Sequence, residues 1–200
     1  MPNFKHYNFD KTKVTHQVID TTNGEFAWIA FEQDDDGICI LRKVSAYDIS
    51  QVYYEISLEV DKIVKLMVFG SFIYLAVEHD TIMGYKISLA NPLSSQSTFA
   101  RPGGIEENPK DLANDGTALW WLFPGIVSGE ITTVVRTNTS GTVQVTKVLS
   151  ESGDEVREAS SFLVIDVNNL WVTTYTDPST LVRVHNISGT WFFEVYEITS

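Results

Sequence analysis

Cysteine is almost absent from this sequence, since Cys39 is the only one among 200 residues. A single cysteine excludes an internal disulfide and any zinc site made of cysteine ligands. Its neighbours in the segment 37–41 are glycine, isoleucine and leucine, so we predict a small buried side chain rather than a reactive thiol. The fold must therefore be stabilised by a hydrophobic core, and a chain of this length can form one.

Basic residues and long apolar runs are also scarce. Only 14 Lys and Arg stand against 26 Asp and Glu, which gives a net charge of −12. This balance disfavours nucleic acid as a partner, because phosphate binding needs clustered cations. No apolar run approaches the ~18 residues of a membrane-spanning helix, and residues 1–6 lack the apolar start of a signal peptide. We expect no nucleic acid, no membrane and no secretion signal.

Helical periodicity is missing as well, because no segment sustains apolar residues at a 3.6-residue spacing. Instead, an apolar stretch that follows a turn occurs four times. Its aromatic anchors are Trp28, Tyr74, Trp120 and Trp171, at spacings of about 46, 46 and 51 residues. A nearly fixed period in this range is typical of stacked supersecondary units. We predict that all four anchors lie in the core.

Each unit divides into four predicted strands, A to D. B strands such as 118–123 are continuously apolar, which predicts that both of their faces are buried. D strands such as 52–58 alternate between apolar and polar residues, which predicts that one face is exposed to solvent. Sheets that pack face to face around an axis combine these two strand types. The predicted units span about 13–58, 59–100, 101–149 and 150–200. Residues 1–12 form an extended segment before them, and 1–200 make one domain.

These units resemble β-propeller blades in general. The resemblance rests on the tripeptides Leu-Trp-Trp at 119–121 and Leu-Trp-Val at 170–172, and on a cation in the next strand of each unit; the cations are Arg42, Lys86, Arg136 and Arg183. It implies an all-β fold of four four-stranded antiparallel sheets. It implies no activity, because the signatures of the known propeller subfamilies are missing. Four units are the lower limit of propeller sizes, so the chain closes alone or two chains join into a larger ring.

No catalytic residue, cofactor or metal is predicted. The four histidines are scattered over different units without the spacing of metal ligands. The acidic stretch 32–37 begins like a calcium loop, but Lys43 stands where that loop needs a bidentate glutamate, so we interpret it as a solvated hairpin loop. We expect a protein that is not an enzyme; a hydrolase that uses loop carboxylates is the least supported hypothesis.

Carboxylates are concentrated in the B–C and D–A loops, which a propeller places on one face. That rim would hold about 14 acids, Glu106 and Glu107 among them, against about four on the other rim. Solubility alone is one explanation of this asymmetry. The other is that the rim docks the basic surface of a protein partner. We predict its centre at Asp34, Asp36, Glu78, Asp80 and Asp177.

The leading hypothesis from these observations is a non-catalytic structural or protein-interaction module, of the kind found in virus or phage particles. The alternative is a carbohydrate-binding propeller, which requires an exposed aromatic side chain beside polar groups. We interpret most of the adjacent aromatics as packing residues. Trp191, which follows Ser188-Gly189-Thr190, is the aromatic that fits a core position least well.

Overall fold

The computed structural model describes residues 14–20, 24–32, 38–126, 131–151, 154–175 and 180–197. Within these ranges every regular helix or strand is a β-strand. None of the described residues forms a helix with the length and apolarity needed to cross a membrane. The main strands form four antiparallel sheets, and each sheet consists of four strands that follow one another in the chain. The predicted all-β fold with four such sheets is confirmed.

The first two sheets have their strands in sequence order. Sheet 1 consists of β1 (Val14–Ile19), β2 (Phe26–Phe31), β3 (Cys39–Ser45) and β4 (Val52–Leu58). Sheet 2 consists of β5 (Lys62–Phe69), β6 (Phe72–Glu78), β7 (Ile82–Ser88) and β8 (Gln96–Ala100). The predicted D strand at 52–58 coincides with β4.

The other two sheets repeat this order and enclose a short hairpin. Sheet 3 consists of β9 (Asp111–Asn114), β10 (Leu119–Phe123), β11 (Thr133–Thr137) and β12 (Val143–Val148). The hairpin, which the sequence did not predict, pairs β13 (Ser150–Glu151) with β14 (Asp154–Glu155). Sheet 4 consists of β15 (Ala159–Asp166), β16 (Asn169–Thr174), β17 (Thr180–Ile187) and β18 (Thr190–Glu197).

The chain divides into two compact units. The first comprises the described residues of Met1–His79 and Tyr85–Ser97, and the second those of Asp80–Gly84 and Thr98–Ser200. In the first unit β1 and β2 pack against β5, and in the second unit β15 packs against β9 and β10. The single domain expected for 1–200 stays a prediction.

The core of the second unit lies between the facing sides of sheets 3 and 4. Its buried members are Trp120, Leu122, Val134, Leu149, Val156, Ala159, Phe162, Leu170, Val172, Val182 and Val184. Strand β10 is buried at all five of its positions, as its continuously apolar sequence predicts. The D strands β4, β12 and β18 expose many of their side chains instead. Burial thus follows the predicted difference between inner and outer strands.

Of the tryptophans, Trp171 departs from its predicted core position, whereas Trp191 packs on the core as predicted. Trp28, Tyr74 and Trp120 are at most 1% exposed, but Trp171 is only half-buried, because the other side of β16 packs on sheet 3. Trp191, for which a core position was least certain, packs against the core cluster with its ring edge-to-face on Trp120 at 5.2 Å. The prediction of a core position for Trp171 is therefore wrong.

Candidate functional site

Of the five predicted binding carboxylates, the structure describes two, Glu78 and Asp80. Asp34, Asp36 and Asp177 lie outside the described residues. Glu78 ends β6 in the first unit, where its Oε1 is 3.3 Å from the Lys62 ammonium. Asp80 belongs to the second unit and is exposed. The acidic centre as a set of five residues stays a prediction.

Asp80 lines a cleft of about 550 Å³ in the second unit. The other lining residues are Thr81, the segment 101–106 and Asn108. The side chains of both Asp80 and Glu106 are exposed. The cleft therefore combines a concave shape with two carboxylates that face solvent.

Arg101 holds the loop that forms one wall of this cleft. Its backbone N–H donates to the carbonyl of Thr81 at 3.1 Å. Its guanidinium donates to the carbonyl of Glu106 and to Asn108 Oδ1, the latter at 2.9 Å. Because one side chain spans residues 106 to 108, the loop keeps its shape without a regular strand. The Arg101 side chain therefore stabilises this wall.

Glu107, the neighbour of Glu106, has a different role from the one predicted for a rim carboxylate. It is only 7% exposed, and its two carboxylate oxygens accept the backbone N–H groups of Gly125 and Ile126 at 2.5 and 2.6 Å. A carboxylate that accepts hydrogen bonds from two backbone N–H groups stabilises the turn, because these N–H groups would otherwise be buried without partners. Its assignment to an exposed acidic rim is wrong.

Arg136, the C-strand cation of sheet 3, serves the fold rather than a binding site. Arg136 Nε donates to Asp115 Oδ2 at 2.7 Å, and Trp120 Nε1 donates to the same oxygen at 3.0 Å. Burial alone would raise the pKa of Asp115, but hydrogen bonds from Arg136, Thr117 and Trp120 hold that pKa well below its ordinary value. Gly116 follows with a φ of +87°, the left-handed conformation that a turn glycine adopts readily.

Sheet 1 contains a similar arrangement, in which Lys43 takes the place of Arg136. The residue directly opposite Trp28 on β3 is Lys43, whereas Arg42 lies beside Phe31 and pairs with Glu55. The Lys43 ammonium is 3.3 Å from the buried Asp20 carboxylate and 4.3 Å from the centre of the Phe26 ring. Here, too, the cation stabilises the turn between the A and B strands.

A second candidate surface is one side of sheet 4, which we call the fourth-sheet outer face. It is defined by Ser161, Leu163, Ile165, Trp171, Thr173, Leu181, Arg183, Phe192, Glu194 and Tyr196. Leu163 and Ile165 are 62% and 57% exposed, and the rings of Trp171 and Tyr196 lie 5.7 Å apart. A mainly apolar groove of about 550 Å³ runs across it, from Leu163 to Leu181. This face is therefore a surface at which the described residues expose neighbouring apolar side chains.

The sequence contained a signal for this face. Positions 170–175 read Leu-Trp-Val-Thr-Thr-Tyr, so the side of β16 that carries Trp171 also carries Thr173. Positions 119–123, by contrast, are apolar throughout. Polar residues on one side of a strand indicate an open face.

Neither a metal site nor a reactive thiol is found in the described part of the chain. No group of three or more His, Cys, Asp or Glu side chains there could hold a metal ion. Cys39 is buried, as predicted, and its Sγ donates to the carbonyl of Val60 at 3.4 Å. His185 stacks on Phe192 with ring centres 5.9 Å apart, and its buried Nδ1 has no hydrogen-bond partner in the described ranges.

Comparison with known proteins identifies the fold and no family. No family profile matches this sequence, and no curated protein matches it. Among solved structures, BamB from Moraxella catarrhalis superposes with a TM-score of 0.57 at 16% identity, over 91% of this chain and 52% of that one. A prolyl endopeptidase superposes with a TM-score of 0.59 at 10% identity, over 94% of this chain and 27% of that one.

This chain thus spans about half the length of the first of these structures and about a quarter of the second. At such identities the likeness concerns the fold alone. BamB is a β-propeller, and the match to the prolyl endopeptidase is to its propeller domain. Together with the four consecutive antiparallel sheets, these likenesses show that the chain has an all-β, propeller-like fold.

Proposed function

We propose that this chain is a non-catalytic protein-interaction module whose partner presents a basic surface. The observation that carries the proposal is the cleft of the second unit, where Asp80 and Glu106 are both exposed on a concave wall. A Lys or Arg side chain that enters this cleft can form charge-assisted hydrogen bonds with either carboxylate. The net charge of −12 would attract such a partner over a longer range.

The loop that forms the cleft wall is already ordered by its own contacts. Arg101 bonds to the backbone of Glu106 and to the side chain of Asn108, so this cation is a part of the wall. A wall that does not have to fold upon binding costs less conformational entropy than a flexible loop. The first unit carries exposed carboxylates on its own D–A loop, Glu59 and Asp61, which would add to the long-range attraction.

The cleft lacks the features of a catalytic centre. Its lining includes no histidine, cysteine or tyrosine that could serve as a base or nucleophile. A catalytic carboxylic acid is usually buried or placed next to a charge that adjusts its proton affinity, whereas Asp80 and Glu106 are open to solvent. These observations support binding as the role of the cleft.

Carbohydrate binding, the alternative, has less support. The partly buried Trp171 lies in the groove beside the hydroxyl-bearing Ser161 and Thr173, as a sugar site would require. However, Leu163, Ile165 and Leu181 make up much of the remaining lining, and aliphatic groups would leave sugar hydroxyls without hydrogen bonds. Placement in a virus or phage particle stays a prediction from the sequence.

A pair of charge-matched variants tests the proposal. The cleft variant carries Asp80→Asn and Glu106→Gln, and the control carries Glu25→Gln and Glu197→Gln at exposed positions outside the cleft. Both lose two negative charges, so the long-range attraction falls equally. Binding of a labelled ten-residue oligolysine is measured by fluorescence anisotropy at 0.05 and 0.15 M salt.

We expect the cleft variant to bind the peptide about tenfold more weakly than the control, because it alone loses the direct contacts. Binding by the wild type should weaken at the higher salt concentration, at which the Debye length is about 8 Å. Equal affinities of the two variants would show that the cleft is not the docking site. Binding without salt dependence would contradict a charge-based partner altogether.

A further inference from the structure

We propose that the fourth-sheet outer face is a dimer interface, on which a second copy of this chain packs its own fourth-sheet outer face around a two-fold axis. This surface is distinct from the cleft at Asp80, so the inference does not depend on the proposed function. It rests on the pattern of burial among the sheets, on the area of the face and on its charge.

In other sheets of the repeat, the side that corresponds to this face is buried. Three B-strand tryptophans lie directly opposite a C-strand cation, in the pairs Trp28–Lys43, Trp120–Arg136 and Trp171–Arg183. The first two tryptophans are 0% exposed, and the side of β10 that carries Trp120 packs on sheet 4. Trp171 occupies the same position on its own sheet but is only partly buried. The Trp120 side of sheet 3 is thus covered by another sheet, whereas the corresponding side of sheet 4 is exposed.

The area of the face fits a stable association between proteins. The exposed parts of its large apolar side chains, with Leu163 at 62% and Tyr196 at 45%, add up to about 350 Å² of apolar surface. A standard interface buries about 800 Å² per partner, and slightly more than half of that, about 450 Å², is apolar. The face therefore supplies most of the apolar surface that one side of such an interface needs.

Electrostatic repulsion limits the surfaces through which two copies can associate. Each copy carries a net charge of −12, so two copies repel each other when acidic surfaces approach. The residues that define the face include one cation and one anion, Arg183 and Glu194, whose charged atoms are 3.7 Å apart. Asp166, which pairs with Asn169 on the same side of the sheet, adds one carboxylate at the edge of the face. The face thus carries little of the net negative charge, and two copies that meet there oppose few like charges.

Packing of this face on the same face of a second copy gives a two-fold arrangement. On the side of sheet 1 away from Trp28, the centre is closed, because Ile29, Phe31 and Val44 are 5%, 1% and 0% exposed. Its open apolar side chains, Val14, Ile19 and Val52, lie on the two outer strands. The fourth-sheet outer face has its open apolar residues side by side instead, and an isologous contact between two such faces closes at two subunits.

The test is the mass of the chain in solution, measured by light scattering after size exclusion, at 0.05 and 0.5 M salt. We expect twice the 22.5 kDa of the chain, with tighter association at the higher salt concentration because the repulsion between the copies is screened. This dependence is opposite in sign to that of the basic partner proposed for the cleft. A species larger than a dimer, or a monomer throughout at both salt concentrations, would overturn the proposal.

A pair of leucine variants locates the interface. Leu163→Glu changes a residue of the face, and Leu93→Glu changes a leucine of equal exposure, 61% against 62%, in the turn between β7 and β8. Since both side chains are exposed, both variants should keep the unfolding midpoint of the wild type. We expect Leu163→Glu to weaken dimerisation about 30-fold, the loss of a central contact, and Leu93→Glu to leave it unchanged. A dimer equally strong in both variants would place the contact elsewhere and refute the proposal.

Discussion

Asp115→Asn removes the charge at the centre of the hydrogen-bond network of sheet 3. The Asp115 side chain is 0% exposed and that of Arg136 is 12% exposed. Besides Arg136 and Trp120, the carboxylate accepts the backbone N–H groups of Thr117 and Ala118, both at 2.9 Å. Both carboxylate oxygens of Asp115 accept hydrogen bonds, so the NH2 group of an asparagine would face N–H donors instead of acceptors. The Arg136 guanidinium would also lose its counter-charge. Removing one partner of a buried ion pair costs about 3–5 kcal/mol, and we expect about 3 because Arg136 keeps its hydrogen bond to Gln144.

Urea denaturation followed by tryptophan fluorescence, at several pH values, measures this loss. The hydrogen bonds lower the pKa of Asp115 in the folded state, so its charge stabilises the fold above the unfolded pKa of about 4. This contribution is lost as the pH falls below that value. The difference in unfolding free energy between wild type and variant should therefore be complete at pH 7 and should shrink steadily below pH 4.

Asp166→Asn is the matched control. Asp166 ends the A strand of sheet 4, and Asp115 directly follows the A strand of sheet 3. Unlike Asp115, Asp166 is exposed, and it accepts hydrogen bonds from Asn168 and Asn169 rather than from an arginine. We expect a much smaller shift of the midpoint. Equal losses in the two variants, or a loss for Asp115→Asn that does not change with pH, would refute the reasoning.

Two further predictions concern packing and backbone conformation, both read from urea midpoints. Trp120→Ala should destabilise the chain by about 3–5 kcal/mol, and Trp171→Ala by only about 1–2 kcal/mol, because the second side chain is only partly buried; equal losses would contradict the burial of β10. Gly125→Ala should cost about 2–4 kcal/mol, since Gly125 has a φ of +71° and a Cβ there would lie 2.4 Å from the backbone nitrogen of Thr132. Gly103→Ala, where a Cβ meets nothing within 4 Å, should be nearly neutral; a similar loss there would contradict this explanation.

The strands could be predicted from the sequence because their signals are local. The continuous apolar residues at 118–123 predict a strand that is buried on both faces, and β10 is such a strand. The alternation at 52–58 predicts a strand that is buried on one face, and β4 is such a strand. The four sheets followed from the spacing of the aromatic anchors. A periodic sequence therefore determined the order of strands and the general fold.

The features that the sequence did not predict depend on contacts between distant residues. Lys43 rather than Arg42 faces Trp28 because of the strand register, and Glu107 is buried because the turn at Gly125 folds onto it. Trp171 follows a leucine as Trp120 does, but the core cluster that contains Trp120 lies on the other side of β16 from Trp171. The cleft at Asp80 likewise depends on the side chain of Arg101, which spans a loop without a sequence motif.

Hydrogen exchange of the chain, with and without bound oligolysine, tests most directly whether the cleft is the docking site for a basic partner. Backbone amides of residues 101–108, which form the wall around Asp80, should exchange more slowly when the peptide is bound. Those of β16 and β17, which underlie the fourth-sheet outer face, should not change. Protection confined to β16 and β17, or none in 101–108 while the peptide is bound, would contradict the account.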